Sequence, residues 1–229
     1  MIYYPLTLLM LAKIRDIAII VSPEQKKNFY SVLKDGSQWG IKLTYLLQNK
    51  PDGIGQAYII AEKFLNNNNS LMILGDNLFY GNNIQLILKN ILEKKIPSIF
   101  GYKVSDPERY GVISFNGNKV TKIIEKPKRP ASNFVVTGLY YLDKNASKYA
   151  KTIKKSKRGE LEISDILNIY LKNKNLHTEL FGRGFAWLDT GTADSLLDAS
   201  NFVKTIQARQ GSIVGSPEEI SLLNKWISK

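Results

Sequence analysis

A chain of 229 residues is long enough to bury a sizeable core, and we expect residues 1–229 to form a single domain. It contains no cysteine, which excludes disulfides, thiolate metal sites and a cysteine nucleophile, and its one histidine makes a Ser-His-Asp triad a poor candidate. The formal net charge of +12 raises the question of a nucleic-acid surface. No zinc-finger spacing or RNA-binding aromatic motif accompanies the scattered basic residues, so solvated lysines are the favoured explanation and we expect no nucleic-acid partner.

The N-terminal segment Met1–Leu11 is mostly apolar, but it is too short for a membrane span, which needs roughly 20 residues. It also lacks the basic residues before the apolar run and the small-residue cleavage site after it that a signal peptide would show. We therefore expect a packed helix in a soluble protein with no membrane partner. The lack of cysteine is compatible with a cytoplasmic location, which is the location we expect.

Hydrophobic periodicity predicts alternating helices and strands in the first half of the chain. In order, these are a helix with Pro5 in its first turn, a strand at 17–21, a helix to Leu33 with a capping box at Ser22, a strand at 43–47, a helix at 56–65, a strand at 71–74, a helix at 84–94 and a strand at 98–102. The apolar run LMIL at 71–74 is typical of a strand that is buried on both faces.

The second half begins with a predicted hairpin, whose strands 112–115 and 120–125 flank the turn sequence Asn-Gly. The remaining predicted elements are a strand at 134–142, a helix at 160–172, a strand at 177–181, an apolar segment at 186–189 and two helices, the second of them with a capping box at Ser216. Strand–helix units followed by an antiparallel insert predict an α/β domain with a mostly parallel central sheet.

Two apolar runs lead into an aspartate beside a glycine: LMILGDN contains Asp76, and WLDTGT contains Asp189. In open α/β sheets, ligands lie beyond the carboxyl ends of the strands. Two carboxylates that meet there repel each other unless a cation lies between them, and oxygen ligands without cysteine or histidine favour Mg²⁺. Either aspartate alone could equally be a helix N-cap, but the pair favours a metal site.

Two basic residues are candidates for neutralising phosphate oxygens. Lys126 lies in the sequence EKP at a predicted strand end, and Arg158 precedes GELE. Each of them alone is more often a surface charge.

Eight motifs taken together closely resemble the glucose-1-phosphate thymidylyltransferases, a family of sugar nucleotidyltransferases. They are Gln48 with PDGIGQA, LGDNLFYG, RYGV, EKPKRPASN, VVTGLYYLD, RGELEISDI, GRGFAWLDTGT and RQGSIVGSPEEI, and they cover essentially the whole chain in the family's order. The resemblance implies a Rossmann-like three-layer α/β/α nucleotide-diphospho-sugar transferase fold with a mixed central sheet. It also implies a homo-oligomer, since the family forms tetramers.

Carried over position by position, the resemblance implies roles for particular residues. Gln48, Gly53 and Asp76 would bind the nucleotide, and Asp76 and Asp189 would hold Mg²⁺. The catalytic set would be Asp76, Asp189, Lys126 and Arg158. The sugar phosphate would be surrounded by Tyr110, Gly111, Glu125, Lys126, Val136, Arg158 and Trp187.

The reaction implied by the resemblance joins dTTP and glucose 1-phosphate into dTDP-glucose, with release of pyrophosphate and with Mg²⁺ as cofactor. It needs no protein nucleophile, because the sugar phosphate oxygen attacks the α-phosphorus of the nucleotide in line. Two polyanions must meet, so positioning and charge neutralisation carry the catalysis.

The family opens with a strand and a Gly-rich loop that cradles the triphosphate, and Met1 matches the family just after this block. By the same resemblance, we expect the C-terminal helical tail of the family to be cut short after Lys229. The resemblance therefore implies a sheet without its first strand, in which the strands at 17–21 and 71–74 expose edges. We expect this chain as written to have little or no transferase activity.

Three alternatives remain open. A related nucleotidyltransferase could use UTP or CTP, because Gln48 does not separate the pyrimidines. A non-catalytic protein could keep the sugar-nucleotide-binding half of the site. A basic nucleic-acid binder would show a strongly salt-dependent affinity for DNA.

Overall fold

The structure, a computed structural model, describes residues 1–228. In the first half, the elements are α1 (Tyr3–Leu11), β1 (Asp16–Val21), α2 (Pro23–Leu33), β2 (Lys42–Leu47), α3 (Gln56–Ile60), α4 (Glu62–Leu65), β3 (Ser70–Ile73), β4 (Asn77–Gly81), α5 (Ile84–Lys94) and β5 (Ser98–Lys103). In the second half, they are β6 (Gly111–Asn116), β7 (Lys119–Glu125), β8 (Phe134–Leu142), α6 (Ala146–Ala150), α7 (Ile163–Lys172), β9 (His177–Leu180), β10 (Phe185–Asp189), α8 (Ala193–Gln210) and α9 (Pro217–Leu223). Most predicted elements are confirmed, with small shifts at their ends.

Strand β8 organises the main sheet because it pairs along both of its edges. One edge carries β3, opposite 139–142, and the end of β6, opposite Val135. The other edge carries β5, which in turn pairs with β9, while β7 extends the sheet beyond β6. Eight of the nine residues of β8 are buried, as expected for a strand that is covered on both faces.

A mixed sheet is confirmed, but the expectation of mostly parallel neighbours is wrong for the observed pairs. Strand β8 runs antiparallel to β3, β5 and β6, and within residues 1–228 the parallel pairs are β1–β2 and β5–β9. Hydrophobic periodicity locates a strand but does not fix the direction of its neighbour. The segment between β5 and β8, which includes the β6–β7 hairpin, returns the chain so that β8 runs against β5.

Strands β1 and β2 form a parallel pair that no strand joins to the main sheet in the part of the chain described. An apolar cavity of about 650 Å³ lies between β1 and β3. All four residues of β3 are therefore half-buried, although the sequence predicts a strand that is buried on both faces. The open edges expected at β1 and β3 are present.

Strands β4 and β10 form a separate antiparallel pair, with Asn77 opposite Asp189 and Gly81 opposite Phe185. Hydrophobic patterns predict an apolar segment at β10 but no strand at β4, because NLFYG follows the turn-like sequence Gly-Asp. The pair forms through contacts between segments that lie more than 100 residues apart, which local patterns do not reveal.

Two local predictions about helices need correction. The single helix expected at 56–65 is divided at Ala61 into α3 and α4. The side chain of Ser22 makes no capping hydrogen bond, because the main-chain N–H of Gln25 donates to the carbonyl oxygen of Ser22 instead, at 3.2 Å. At α9 the predicted cap is present, since the hydroxyl of Ser216 accepts from the N–H of Glu219.

Helix α1 lies in the core rather than on the surface, with Pro5–Met10 all buried. Leu6 and Leu9 pack with residues of β1, α2 and α9 in one hydrophobic cluster. A helix that is apolar on all sides must be covered on all sides, which explains this position. None of the helices between residues 1 and 228 combines the length and the apolar character that crossing a bilayer requires.

The close contact between β4 and β10 gives a test of the fold. A methyl group added in Gly81→Ala would overlap the ring of Phe185, which cannot easily move because it stacks on Phe181 at 4.5 Å. We expect the free energy of unfolding, measured in urea, to fall by roughly 1–3 kcal/mol. The matched control is Gly182→Ala, where the methyl group would meet no atom within 4 Å. Equal stabilities of the two variants would contradict the packing of this pair.

Candidate active site

The β4–β10 pair brings the two predicted aspartates to the same place. Asp76 immediately precedes β4, and Asp189 is the last residue of β10. Thr190 donates to the carbonyl oxygen of Asp76 twice, from its main-chain N–H at 3.0 Å and from its hydroxyl at 2.7 Å. These two hydrogen bonds join the ends of the two segments, so the aspartates cannot separate without breaking the pair.

The two carboxylates face a common point. A methyl group placed on Gly191 would lie 3.1 Å from Oδ1 of Asp189 and 3.8 Å from Oδ2 of Asp76. The N–H of Gly191 donates to Oδ1 of Asp189 at 3.0 Å, and Nη2 of Arg109 lies 3.9 Å from Oδ2. Gly191 therefore leaves open a small volume that both aspartates border.

This pair suits a magnesium ion that is completed by substrate oxygens. No group of three or more His, Asp or Glu side chains in the described part of the chain could hold a metal by itself. Mg²⁺ is usually bound by one or two carboxylates together with water and substrate phosphates, so two oxygen ligands are a fitting protein contribution. Without a cation, the two negative charges would repel each other.

Asn77 holds Asp76 in place from behind. It is almost fully buried, and its amide nitrogen donates to Oδ1 of Asp76 at 2.8 Å. Its amide oxygen accepts from Nε1 of Trp187 at 2.6 Å and from the main-chain N–H of Gly138 at 3.1 Å. One buried side chain thus connects the metal-binding candidate to β10 and to the central strand β8.

Aromatic rings form one wall beside the aspartates. The ring of Trp187 lies 5.1 Å from that of Tyr110 and 6.0 Å from that of Tyr102, both in edge-on geometry. The hydroxyl of Tyr102 donates to the carbonyl oxygen of Phe185, which fixes this wall to β10. Burial, followed by the nearby charge of Asp189, raises the pKa of Tyr110 to about 12, so this hydroxyl keeps its proton at neutral pH.

Arg158 lies among three carboxylates on the opposite side. Its Nη2 is 2.9 Å from Oε1 of Glu160, and its Nη1 is 3.4 Å from Oε1 of Glu162 and 3.8 Å from Oε1 of Glu125. Glu162 is buried, and it also accepts a hydrogen bond from the hydroxyl of Ser156 at 2.7 Å. A buried carboxylate needs such partners, so Glu162 fixes the position of the guanidinium group.

Glu125, at the end of β7, is a carboxylate in a poorly solvated position. Burial and then the charge of Glu162 raise its pKa above the ordinary value, while Lys126 and Arg158 oppose this shift. In the β6–β7 ladder it lies opposite Gly111, where an added methyl group would be 3.3 Å from Oε2 of Glu125. Gly111 therefore keeps the face of this carboxylate accessible.

Nine of the eleven predicted site residues line one cavity of about 160 Å³, and the other two do not. The nine are Asp76, Tyr110, Gly111, Glu125, Lys126, Val136, Arg158, Trp187 and Asp189. Gln48 and Gly53 line the larger cavity between β1 and β3. Ile54 and Leu74 line both cavities, so the two spaces adjoin.

Gln48 and Gly53 have structural partners of their own. Nε2 of Gln48 donates to Oε1 of Gln56 at 2.6 Å. Gly53 has φ +103°, and a methyl group there would lie 2.6 Å from the carbonyl oxygen of Leu161. Glycine is therefore required at this position by close backbone packing, whether or not a nucleotide lies against it.

Three residues at the site are missing from the sequence-based list. Asn77 stands in the quoted motif LGDN, and Glu162 stands in RGELE, but neither position suggests burial. Arg109 precedes the predicted Tyr110, and it lies close enough to Asp189 to offset part of its charge. Alternation along β4, which places Asn77 and Phe79 on one face, is the one sequence signal that could have located Asn77.

Comparison with known proteins places this geometry in a family. Residues 1–206 match the family model for nucleotidyl transferases. A glucose-1-phosphate thymidylyltransferase from Xanthomonas campestris pv. campestris (strain B100) is 51% identical over 229 residues, which cover 99% of this chain and 78% of that protein. One from Neisseria gonorrhoeae is 49% identical over 231 residues, covering 100% of this chain and 80% of that protein.

A solved structure agrees with these matches. The crystal structure described as a glucose-1-phosphate thymidylyltransferase from Bacillus anthracis, in complex with sucrose, superposes with a TM-score of 0.80 at 37% identity. The superposition covers 88% of this chain and 81% of that chain. The chain therefore belongs to the nucleotidyl transferase family, among the glucose-1-phosphate thymidylyltransferases.

Proposed function

We propose that this chain carries the site for thymidylyl transfer from dTTP to glucose 1-phosphate, which gives dTDP-glucose and pyrophosphate. The observation that carries the proposal is the convergence of Asp76 and Asp189 on one point, at the edge of a cavity that Lys126 and Arg158 also line. The high identity to named thymidylyltransferases supports the same reaction.

In this reaction, a phosphate oxygen of glucose 1-phosphate forms a bond to the α-phosphorus of dTTP. The bond from that phosphorus to the bridging oxygen of the β-phosphate breaks, and pyrophosphate leaves with the electron pair. No protein group is covalently modified. The chain's contribution is to hold two polyanions in line and to offset their charge.

Asp76 and Asp189 are the residues that would hold Mg²⁺ here. The ion, when bound, would neutralise phosphate charge and stabilise the charge that grows at phosphorus. The amide of Asn77 orients the carboxylate of Asp76, and the N–H of Gly191 orients that of Asp189. The hydroxyl of Thr190 bonds the main-chain carbonyl of Asp76 and so joins the two segments. Orientation by neighbouring groups is a general requirement of such sites.

We propose that Lys126 and Arg158 bind the phosphate group of glucose 1-phosphate. Arg158 presents a planar guanidinium group that can make two parallel hydrogen bonds to phosphate oxygens. Glu125 would accept hydrogen bonds from sugar hydroxyls next to the open face at Gly111. Tyr110, Val136 and Trp187 would supply the apolar wall against the sugar ring.

We propose that Gln48 and Gly53 lie at the base end of the nucleotide site. The hydrogen bond to Gln56 uses one N–H of the Gln48 amide, so its oxygen and its second N–H remain available to a pyrimidine edge. UTP and CTP present related edges, so the preference for thymine has to be measured.

Four broader properties also remain proposals. We propose a single domain over residues 1–229 with a Rossmann-like three-layer arrangement, a cytoplasmic location, no nucleic-acid partner and a homo-oligomeric, tetrameric assembly. Exposed apolar side chains on α8, α9 and the loop between them, including Leu197, Ile213 and Leu223, support a contact between subunits.

The function is tested by two measurements on the same chain. Pyrophosphate release is followed with glucose 1-phosphate and dTTP, UTP or CTP, and binding of glucose 1-phosphate is followed by calorimetry. Product formed faster from dTTP than from UTP or CTP supports the proposal, and it would overturn the expectation from the sequence that this chain has little or no transferase activity. Binding of glucose 1-phosphate without turnover would favour a sugar-phosphate-binding protein, and the absence of both would contradict any role in this reaction.

The aspartate pair gives the sharpest mutational test. Asp76→Asn and Asp189→Asn keep the shape of the side chain but remove its charge, so we expect kcat to fall roughly 100-fold or more, with little change in melting temperature. Asp194→Asn on the exposed first turn of α8 is the matched control and should keep full activity. Normal Mg²⁺-dependent turnover in both site variants would refute the metal assignment.

A second test concerns the phosphate contact. In Arg158→Ala the loss of charge-assisted hydrogen bonds should weaken glucose 1-phosphate binding roughly 10- to 100-fold, measured as KM or as Kd by calorimetry. Lys157→Ala changes the exposed neighbouring cation and should leave the affinity unchanged. If both variants bind equally well, Arg158 does not contact the phosphate.

The raised pKa of Glu125 predicts how stability depends on pH. Because the pKa is raised, Glu125 keeps its proton to a higher pH in the folded chain than in the unfolded chain. The free energy of unfolding therefore falls as the pH rises from the ordinary carboxyl range through the raised pKa. Glu125→Gln cannot titrate, and its stability relative to the native sequence should therefore increase over that window in urea unfolding. Glu93→Gln, on the exposed face of α5, is the control. A difference that does not change with pH would contradict the assignment.

A further inference from the structure

The cavity between β1 and β3 is bordered by both strands along their whole length. All six residues of β1 line one wall, and Ser70–Gly75 line the opposite wall. Its volume is about 650 Å³, and helices α1 and α3 contribute residues above and below it. We call this space the strand slot.

The two walls of the strand slot present main-chain groups without strand partners. In the described residues, β1 pairs with β2 alone and β3 pairs with β8 alone, so each has one free edge. A free edge is a row of N–H and C=O groups that can pair with an added strand. Two such edges that border one cavity can pair with the same strand on both of its sides.

The strand slot also has two apolar faces. Leu71 and Ile73 belong to clusters on the α1 side, whereas Met72 and Leu74 pack towards Tyr58 of α3. Side chains of an added strand would point alternately to these two sides. An occupant with apolar side chains on both faces would therefore be covered on both, as a central strand is.

The half-burial of the slot residues shows that this surface lacks a cover. Every residue of β3 is half-buried, and so are Ala18, Ile19 and Ile20 of β1. Residues of such apolar runs are normally buried. Burial of apolar area and pairing of main-chain groups would both favour an occupant. A small apolar ligand could bury the apolar area but could not pair with the main-chain groups.

We propose that the strand slot binds one extended polypeptide segment of about five or six residues, apolar on both faces, that pairs with β1 and β3 at once. The length follows from β1, which has six residues. The occupant is a β-strand and not a lipid or another small apolar molecule, because the walls carry two rows of main-chain donors and acceptors. The slot reaches Gly75, so a bound segment would end next to Asp76.

The probe is a fluorescein-labelled peptide Lys-Thr-Ile-Ala-Val-Ala-Ile-Thr-Lys, added in trans to the full chain and followed by fluorescence anisotropy. The two lysines offset the negative charge of the fluorescein label, which would otherwise be attracted to a chain of net charge +12. The matched peptide has N-methyl groups on its Ala and Val amides, which removes strand-pairing donors and keeps every side chain. We expect saturable binding of the first peptide and at least tenfold weaker binding of the second.

A protein variant gives an independent arm. Ala57→Trp places a large ring in the strand slot, where Ala57 is a lining residue, and should reduce peptide affinity at least tenfold. Ala131→Trp, at an exposed loop position, should leave the affinity unchanged. If Ala57→Trp fails to fold, the pair of peptides alone decides.

Three results would overturn the proposal. The first is equal affinity of the protein for the two peptides. The second is an unchanged peptide affinity in a folded Ala57→Trp variant. The third is a native chain that binds no peptide but forms a dimer, and whose dimer is dissociated by Ala57→Trp. The last result would mean that a second copy of the chain covers the slot. None of these readouts depends on turnover, so the proposed reaction and the strand slot can fail separately.

Discussion

The buried amide of Asn77 is the contact on which the geometry of the site depends. It joins three parts of the fold, since it donates to Asp76 and accepts from Trp187 in β10 and from the main chain of Gly138 in β8. Each buried polar group left without a partner costs about 1–3 kcal/mol, so the three bonds hold one arrangement and disfavour the alternatives. A methyl group on Gly138 would overlap this amide, which explains why glycine stands in the middle of the most buried strand.

Local chemistry in the sequence was sufficient for much of the fold. The bounds of β8 and α5 match the prediction, and the hairpin of β6 and β7 forms around its Asn-Gly turn. These elements have strong periodicity or explicit turn residues, so little depends on distant parts of the chain. Local patterns do not predict strand β4, because its partner β10 lies far away in sequence. They do not predict the antiparallel direction of β8 either, because periodicity carries no information about direction.

Some residues of the site are predicted by local motifs, whereas others depend on tertiary packing. Nine residues taken from the motifs line one cavity. Glu125 ends β7 and Asp189 ends β10, whereas Val136 lies within β8, so strand ends alone do not define the site. Gln48 and Gly53 border the strand slot instead, and the opening between β1 and β3 is what places them there. The motifs do not predict the roles of Glu162 and Asn77, since burial of a polar side chain is decided by tertiary packing rather than by spacing.

The charges around Arg158 suggest how the site is prepared for an anion. Glu162 is buried and is also bound by Ser156, so its contact with the guanidinium group is fixed. The carboxylate of Glu160 is more exposed, with 35% of its side chain accessible against 7% for Glu162, and it occupies Nη2. In the proposed complex, the phosphate would replace Glu160 at Nη2 while Glu162 keeps Nη1 in place. The arginine would then need little reorganisation on binding, because its contact with Glu162 already meets part of the ordering cost of a long flexible side chain.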